Sequence, residues 1–481
     1  MYKSLIDLIV EGIDTFFNFL IEGVDSFSSD NKEHNATFGK ASKIISSYNK
    51  GWCVDGKRFL DIKTSRQNFC VVAGSGKGKT QVHIFPTLLH SDSSMVVNDN
   101  SGELEKAVPH LMQKGAIPLV MDLTKKSGVY LNPLDGCKGN NAAIRKISKS
   151  LMSSVSKEND FFSVSGEDCL SLFIQYVLES ESRIHANLGN VHRLILEYQG
   201  SPDVVERLFA DKASQEVWTK FLALAGNSER TLKSITATAL SALSWLGDNP
   251  TLADITSVSN ISFEAFRKHQ HVLFIQSPVS DASLYAPMVS LVFQSFYRFA
   301  FSKLPSEDDL DIMMILDEFS SLIQGLPEYS NTISNSRKFK IPQCIVLQDE
   351  SLLSPYKELK DNILGNCFVK CYYGGQDKKA FELEKLLGNY SYEDKESKNK
   401  KTRPLMYASE IRELDTEILV IPNGQKSLKV KITPAYKQRR LRKKLALRMD
   451  DGASDQLVDY SIQYIDLTPY RVGTKKTITN N

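Results

Sequence analysis

The stretch Ala73–Thr80, AGSGKGKT, constrains this chain more than any other. It follows the apolar run Phe69-Cys70-Val71-Val72 and precedes the apolar-rich segment Gln81 to His90, so the local order is strand, glycine-rich turn, helix. Gly74, Gly76 and Gly78 allow the backbone to turn its N–H groups inward around an anion. The helix start adds the positive end of its dipole. Ser75, Lys77 and Gln81 fill out the phosphate-facing segment, Lys79 can reach the outer phosphates of a nucleotide, and the Thr80 hydroxyl can hold Mg²⁺. Ala73 stands where the usual G-x-x-x-x-G-K-[ST] pattern begins with glycine.

A phosphate cradle needs a second magnesium ligand and a group that activates water. The downstream pattern supplies both. Short apolar runs at Ser94–Val97 and Ile117–Met121 alternate with helical segments, which predicts a parallel sheet with ligands gathered at the strand C-terminal ends. From about Cys137 to Ser259 helical spacing takes over, as in Cys169-Leu170-Leu172-Phe173-Tyr176-Val177, and no strand alternation is seen. This predicts an all-α domain inserted between strands. The sheet resumes at His271–Ile275, a long helix covers Tyr285 to Phe301, and Ile312–Leu316 then ends in Asp317-Glu318. Five apolar residues before two acids describe a buried strand delivering carboxylates to the nucleotide. Asp317 can bind the metal through water, and Glu318 can orient or deprotonate the attacking water. The run Ile341–Leu347 delivers Gln348, which either senses the γ-phosphate or simply starts a turn. Further strands are expected at Cys367–Tyr373 and Ile418–Ile421, and a hairpin around Asp55-Gly56.

The remaining features bound the setting. A formal charge of +2 leaves nucleic-acid contact to local patches rather than to the overall field. Two such patches stand out, Lys395–Arg403, expected as a loop, and Lys437–Arg448; the second reads equally well as a solvated helix face. Seven scattered cysteines argue against a disulfide framework and for a reducing compartment. Cys367 and Cys371, about 13 Å apart along a strand, read as core residues rather than a metal pair. His185 and His192 lack partner clusters and read as surface or packed histidines. Near the N-terminus, Asp7, Glu11, Asp14 and Glu22 interrupt an apolar stretch, so no uncharged run approaches the roughly 20 residues that span a bilayer. The pattern predicts an amphipathic helix with an acidic stripe. Packing on its own domain, docking on a membrane partner or a neighbouring subunit, and direct insertion all stay open for it.

Several segments in order resemble the type IV coupling proteins of bacterial conjugation and type IV secretion. Ala73–Leu89 (AGSGKGKTQVHIFPTLL) is similar to that family's phosphate loop, Val96–Leu104 to its V-x-D-P-K-G-E-L segment with Asn100 and Ser101 in place of Pro-Lys, and Tyr130–Asp135 to its Y-N-P-L. Ile315–Phe319 is similar to its magnesium strand, Ser336–Leu353 to its Arg-to-Gln segment, and Arg403–Leu414 to its R-P-L-x-x-x-x-E-I. The resemblance runs from about Trp52 to Tyr436. It implies an α/β, RecA-like P-loop nucleotide-binding domain carrying an inserted all-α domain, with ATP and Mg²⁺ as cofactors. It implies phosphate-loop roles for Lys79 and Thr80, magnesium and acid roles for Asp317 and Glu318, a sensor role for Gln348 and an arginine-finger role for Arg337. The expected division is an N-terminal helix (1–27), a nucleotide-binding domain in two parts (28–136 and 260–436) around the helical insert (137–259), and a basic tail (437–481).

The function so implied is an ATP-driven hexamer that pumps DNA, single- or double-stranded, with an attached relaxase toward a type IV secretion channel. The expected location is the bacterial cytoplasm, peripheral to the inner membrane through a partner, since the transmembrane helices usual in the family are not predicted. Two other readings stand beside it: an ATPase receptor for secreted protein effectors, and a cytoplasmic DNA packaging or partitioning motor.

Overall fold

The computed structural model describes residues 35–155, 160–393, 399–448 and 459–471. The N-terminal helix expected over 1–27 lies outside them.

A nine-stranded sheet organises the larger of two compact units, which takes in Gly39–Gln376 and Arg412 onward. Its strands are β1 (Phe69–Val72), β2 (Ser94–Asp99), β3 (Ile117–Asp122), β4 (His271–Gln276), β5 (Ile312–Leu316), β6 (Gln343–Leu347), β7 (Val369–Tyr372), β10 (Glu417–Pro422) and β11 (Leu428–Lys431), in the order β11-β10-β7-β1-β6-β5-β2-β4-β3. β1 to β7 pair parallel, and β10 joins antiparallel to both β7 and β11. The central strands are buried along their whole length, as expected for a parallel sheet covered on both faces, and they read as unbroken apolar runs: FCVV in β1, IMMIL in β5. β3 sits at the edge, where Pro118 costs no ladder hydrogen bond.

Crossovers carry the chain over this sheet. After β1 comes the glycine loop, then a π-helical turn Thr80–Ile84 running into α1 (Phe85–His90), whose first turn holds Pro86. Between β3 and β4 lie α2 (Asn141–Ser153), α3 (Phe161–Ser180), α4 (Leu188–Gly200), α5 (Pro202–Lys212), α6 (Gln215–Ala225), α7 (Glu229–Ser241), α8 (Ser244–Gly247), α9 (Pro250–Ile255) and α10 (Ala265–Lys268). Six of them start on a side-chain cap: Asn140, Asp160, Asn187, Ser214, Ser228 and Asn249 each accept a backbone N–H three residues on. Their own core is aromatic, with Phe173, Tyr198, Phe209 and Phe221 packed ring against ring. α11 (Ala282–Ser302) follows β4, and its Arg298 caps the carbonyls of Pro133 and Asp135 at 2.9 Å each, fixing the entry to the helical region. α12 (Tyr329–Asn335) lies between β5 and β6. All seven cysteines are buried and free, Cys367 and Cys371 among them.

The smaller unit comprises Asp377–Ile411 with the described residues before Gly39. It holds α13 (Asp377–Leu387) and the hairpin of β8 (Asn389–Glu393) and β9 (Lys400–Pro404). Lys400–Arg403, expected as loop, are therefore strand; residues 395–398 lie outside the described residues. At Asp55-Gly56 the expected hairpin shrinks to isolated bridges from Phe59 to Ser46 and Cys53, because Asp55 Oδ1 takes the N–H groups of Lys57 and Arg58 into a side-chain turn instead. Of the basic tail expected over 437–481, residues 437–448 and 459–471 are described. α14 (Arg439–Leu445) lays Leu441 and Leu445 against the main core, and Ile465 and Leu467 are buried further on.

Candidate nucleotide site

β1, β6, β5 and β2 are neighbours, so the residues that follow them meet at one edge of the sheet. This is where the strand order reverses around β1, the position at which open α/β sheets bind ligands.

The loop after β1 has the shape of a cradle. Gly76 and Gly78 adopt φ of +72° and +81°, and a Cβ on Gly74, Gly76 or Gly78 would meet nothing within 4 Å. Ser75, Gly76 and Lys77 are exposed, while Lys79, Thr80 and Gln81 are partly buried. The Lys79 ammonium folds back onto the loop, donating to the carbonyls of Ala73 at 3.0 Å and Gly74 at 3.2 Å. Burial lowers its pKa, and the nearby Asp317 and Glu318 charges oppose that shift. Lys79, Asp317 and Glu318 thus share one electrostatic neighbourhood.

Asp317 and Glu318 follow β5. Burial pushes the Asp317 carboxyl up to about 6; Glu318 adds to the rise and Lys79 opposes it. Its Oδ1 accepts the Glu318 N–H at 3.0 Å. Glu318 itself is held at φ +51°, ψ +47°, a left-handed conformation uncommon for a residue with a Cβ and characteristic of functional sites. Along a strand the two carboxylates would point to opposite faces, and the left-handed turn at Glu318 breaks that alternation.

β2 and the turn after it contribute residues whose role is not legible in the sequence, Asn100 among them as a departure from the family pattern. Asn98 Nδ2 donates to the Asp317 carbonyl at 2.7 Å, and Asn100 Nδ2 donates to Glu318 Oε2 at 3.1 Å. Asn98 Oδ1 is buried without a hydrogen-bond partner among the described residues, an orphaned acceptor beside the acids. Asp99, pushed up to about 6 by burial, accepts from the Leu104 N–H at 3.1 Å. Gln81 Nε2 reaches Glu103 Oε1 at 2.9 Å and ties the phosphate loop to this turn. Their one sequence signal is the polar cluster Asn98–Glu103 at a strand C-terminal end.

The other two expected residues fall differently. Gln348 directly follows β6, between the phosphate loop and the acids; its side chain is exposed and its carbonyl accepts from Gln376 at 3.3 Å. Arg337 lies in the turn Ser336–Phe339 before β6, exposed and without a side-chain hydrogen bond or ion pair among the described residues. The length of β6, roughly 16 Å of strand, separates it from the edge where Lys79 and Asp317 meet. Arg337 is not brought into the site of its own chain.

The residues fit a magnesium nucleotide. The open glycine cradle faces solvent, a lysine sits at its base, and the Thr80 hydroxyl after the loop and the Asp317 carboxylate after β5 offer hard oxygen ligands. Among the described residues no helix is long and apolar enough to cross a membrane.

Comparison with known proteins agrees with this geometry. Residues 25–457 match the family described as type IV secretory system conjugative DNA transfer. The chain is 24% identical over 400 residues to protein VirD4 of Rhizobium rhizogenes and 23% identical over 400 residues to protein VirD4 of Agrobacterium fabrum, with 78% of this chain aligned in each case. It spans 59% of the length of each of these relatives. Among solved structures it resembles the bacterial conjugative coupling protein TrwB in complex with sulphate, with TM-score 0.63 at 15% identity over 85% of this chain and 96% of that one. The plasmid coupling protein TrwB in complex with ADP and Mg²⁺ gives TM-score 0.63 at 15% identity over 83% and 94%. The fold is the RecA-like nucleotide-binding fold with a helical insert. With nine-tenths of its length inside the family match, the chain belongs to the type IV secretory system conjugative DNA transfer family.

Proposed function

We propose that the chain is an ATP-driven coupling protein that recruits DNA, with its attached relaxase, and drives it to a type IV secretion channel at the inner membrane. The observation that supports this best is the meeting of Lys79, Asp317 and Glu318 beneath an open glycine loop, in a chain of this family. VirD4 relatives and the ADP- and Mg²⁺-bound TrwB structure point the same way.

In this reading the backbone from Gly74 to Gln81 cradles the phosphates, and Lys79 leaves its two carbonyl partners to bind the outer ones. Thr80 and Asp317 would hold Mg²⁺, which neutralises phosphate charge when bound. Glu318, positioned by its left-handed backbone and by Asn100, takes the proton of the attacking water. Gln348 stands between loop and acids as the sensor. Arg337, exposed at the far end of β6, serves the site of a neighbouring subunit in a hexameric ring. The helical insert 137–259 contacts cargo.

The test is hydrolysis and binding in three proteins. Wild type should bind and hydrolyse ATP with Mg²⁺, Lys79→Ala should stay folded and lose turnover, and Glu318→Gln should bind ATP and turn it over very slowly. Near-wild-type hydrolysis by folded Lys79→Ala would remove the site assignment.

A further inference from the structure

Glu318 is held against the preference of its own backbone. At φ +51° and ψ +47° it is left-handed, a conformation that a residue with a Cβ keeps only where its surroundings hold it. Both peptide groups around it are tied. Before it, Asn98 Nδ2 donates to the Asp317 carbonyl at 2.7 Å, and Asp317 Oδ1 accepts the Glu318 N–H at 3.0 Å. After it, the Glu318 carbonyl accepts from the Ser321 N–H and from Ser321 Oγ, at 2.9 Å each. The tie through Asp317 Oδ1 is made by the carboxylate proposed for Mg²⁺. The tie from Asn98 is made by a neutral amide and stays whatever that carboxylate binds.

Asn98 stands where an apolar residue would continue the buried run Met95-Val96-Val97 of β2. It is fully buried, and its Oδ1 has no hydrogen-bond partner among the described residues. A half-paired amide inside a strand is destabilising, so what Asn98 contributes is its bond to the Asp317 carbonyl. Asn100 lies just past the same strand. An ionised carboxylate only accepts hydrogen bonds, so it is Nδ2 that faces Glu318 Oε2, at 3.1 Å. Ser277 Oγ donates to Asn100 Oδ1 at 3.3 Å and fixes the amide in that sense. β2 pairs with β5 on one side and with β4 on the other, Asp99 opposite Gln276, which brings Asn98, Asn100 and Ser277 to one place. In the V-x-D-P-K-G-E-L pattern the position of Asn100 is proline, which carries no side-chain donor, so this grip belongs to this chain.

We propose that Asn98 is a positioning residue for the acid: it grips the peptide before Glu318 while Asn100, set by Ser277, grips the carboxylate, and together they hold the left-handed turn that aims Glu318 at the attacking water. This deepens, and rests on, the reading of Glu318 as the group that takes the water's proton. The three residues act through Glu318 and not on the nucleotide, so their loss slows the chemical step and leaves ATP binding in place.

The experiment follows single-turnover hydrolysis of radiolabelled ATP with Mg²⁺, and binding of a fluorescent ATP analogue, in the full chain. Asn98→Leu and Asn100→Ala should each slow hydrolysis by about 10- to 100-fold, and Ser277→Ala by about threefold to tenfold, with analogue affinity within about threefold of wild type. The readout that a merely structural role would not give comes from the Glu318→Gln background. There Asn98→Leu and Asn100→Ala should change the residual rate by less than about twofold, because the group they place can no longer take a proton. Equal slowing in both backgrounds would overturn the proposal, as would wild-type hydrolysis by folded Asn98→Leu. Should Asn98→Leu fail to fold, Asn98→Ala, which also removes the donor, carries the same comparison. Glu318→Gln by itself separates the two claims. If it hydrolyses ATP like wild type, the acid assignment falls and the positioning with it; if it is slow while the asparagine variants are not, the positioning alone falls.

Discussion

In the nucleotide-free chain, the charge on Asp317 is held under strain. Its folded pKa of about 6 lies above the ordinary 3.8, so stability from proton uptake is full below the unfolded value and is lost as pH rises through 6. Asp317→Asn should therefore raise the melting temperature of nucleotide-free protein at pH 7.5, and that gain should shrink as pH falls from 6 toward 4. Mg²⁺ needs the carboxylate, so metal-dependent nucleotide binding should weaken over the same fall in pH. Melting and binding followed across pH 4 to 8 check both signs. Glu318→Gln keeps the side chain's shape and its place beside Asn100 but cannot take a proton; turnover should drop by about 10² to 10⁴ with ATP binding retained. If Glu318→Gln abolished binding while Asp317→Asn did not, the two acids would have to exchange roles.

Elements differ in how plainly the sequence announces them. β1 and β5 are legible because a strand buried on both faces admits only apolar residues, and the glycine loop because few other uses explain three glycines and a lysine between strand and helix. The hairpin expected at Asp55 does not form because a side chain can replace ladder hydrogen bonds without changing the Asp-Gly signal. β8 and β9 escape a reading of the sequence because both are short and largely exposed, and the Lys-Lys-Thr-Arg-Pro of β9 carries no apolar alternation. The hydrogen bond of Asn100 to Glu318 joins residues 218 positions apart, and only the adjacency of β2 and β5 brings them together. The two basic segments also differ in how much of their charge is already engaged. In the hairpin, Arg403 is held by Glu410 at 3.1 Å and lies against Tyr407, so its charge serves the fold. On α14, Lys444 caps the Leu89 carbonyl at 3.2 Å, while Arg439, Arg440 and Lys443 are exposed. If these segments bind DNA, neutralising Lys400 and Lys401, or Arg439, Arg440 and Lys443, should flatten the salt dependence of DNA affinity by about 0.7 to 0.9 for each phosphate that the variant no longer neutralises. Unchanged slopes in both variants would place DNA binding elsewhere.

At the scale of the whole molecule, the residue that decides the proposed reading is Arg337. It lies a strand's length from its own Lys79, so the proposed finger can act only on a neighbour. A finger contributes about 10³ to 10⁵ in rate, so specific activity should rise steeply with protein concentration. Arg337→Ala and Glu318→Gln should each be inactive. Mixed after shown co-assembly, they should recover activity at interfaces where an intact finger meets an intact acid; co-assembled mixtures that stay inactive would make Arg337 a surface arginine. The central claim, that hydrolysis is coupled to DNA, is tested most directly by the ATPase rate of wild type measured with and without single-stranded or duplex DNA. The account predicts a marked rise on adding DNA, absent in Glu318→Gln and abolished by salt that dissociates the complex. An ATPase rate unaffected by either form of DNA, in protein shown to be assembled and active, would contradict it and favour a receptor for protein cargo alone.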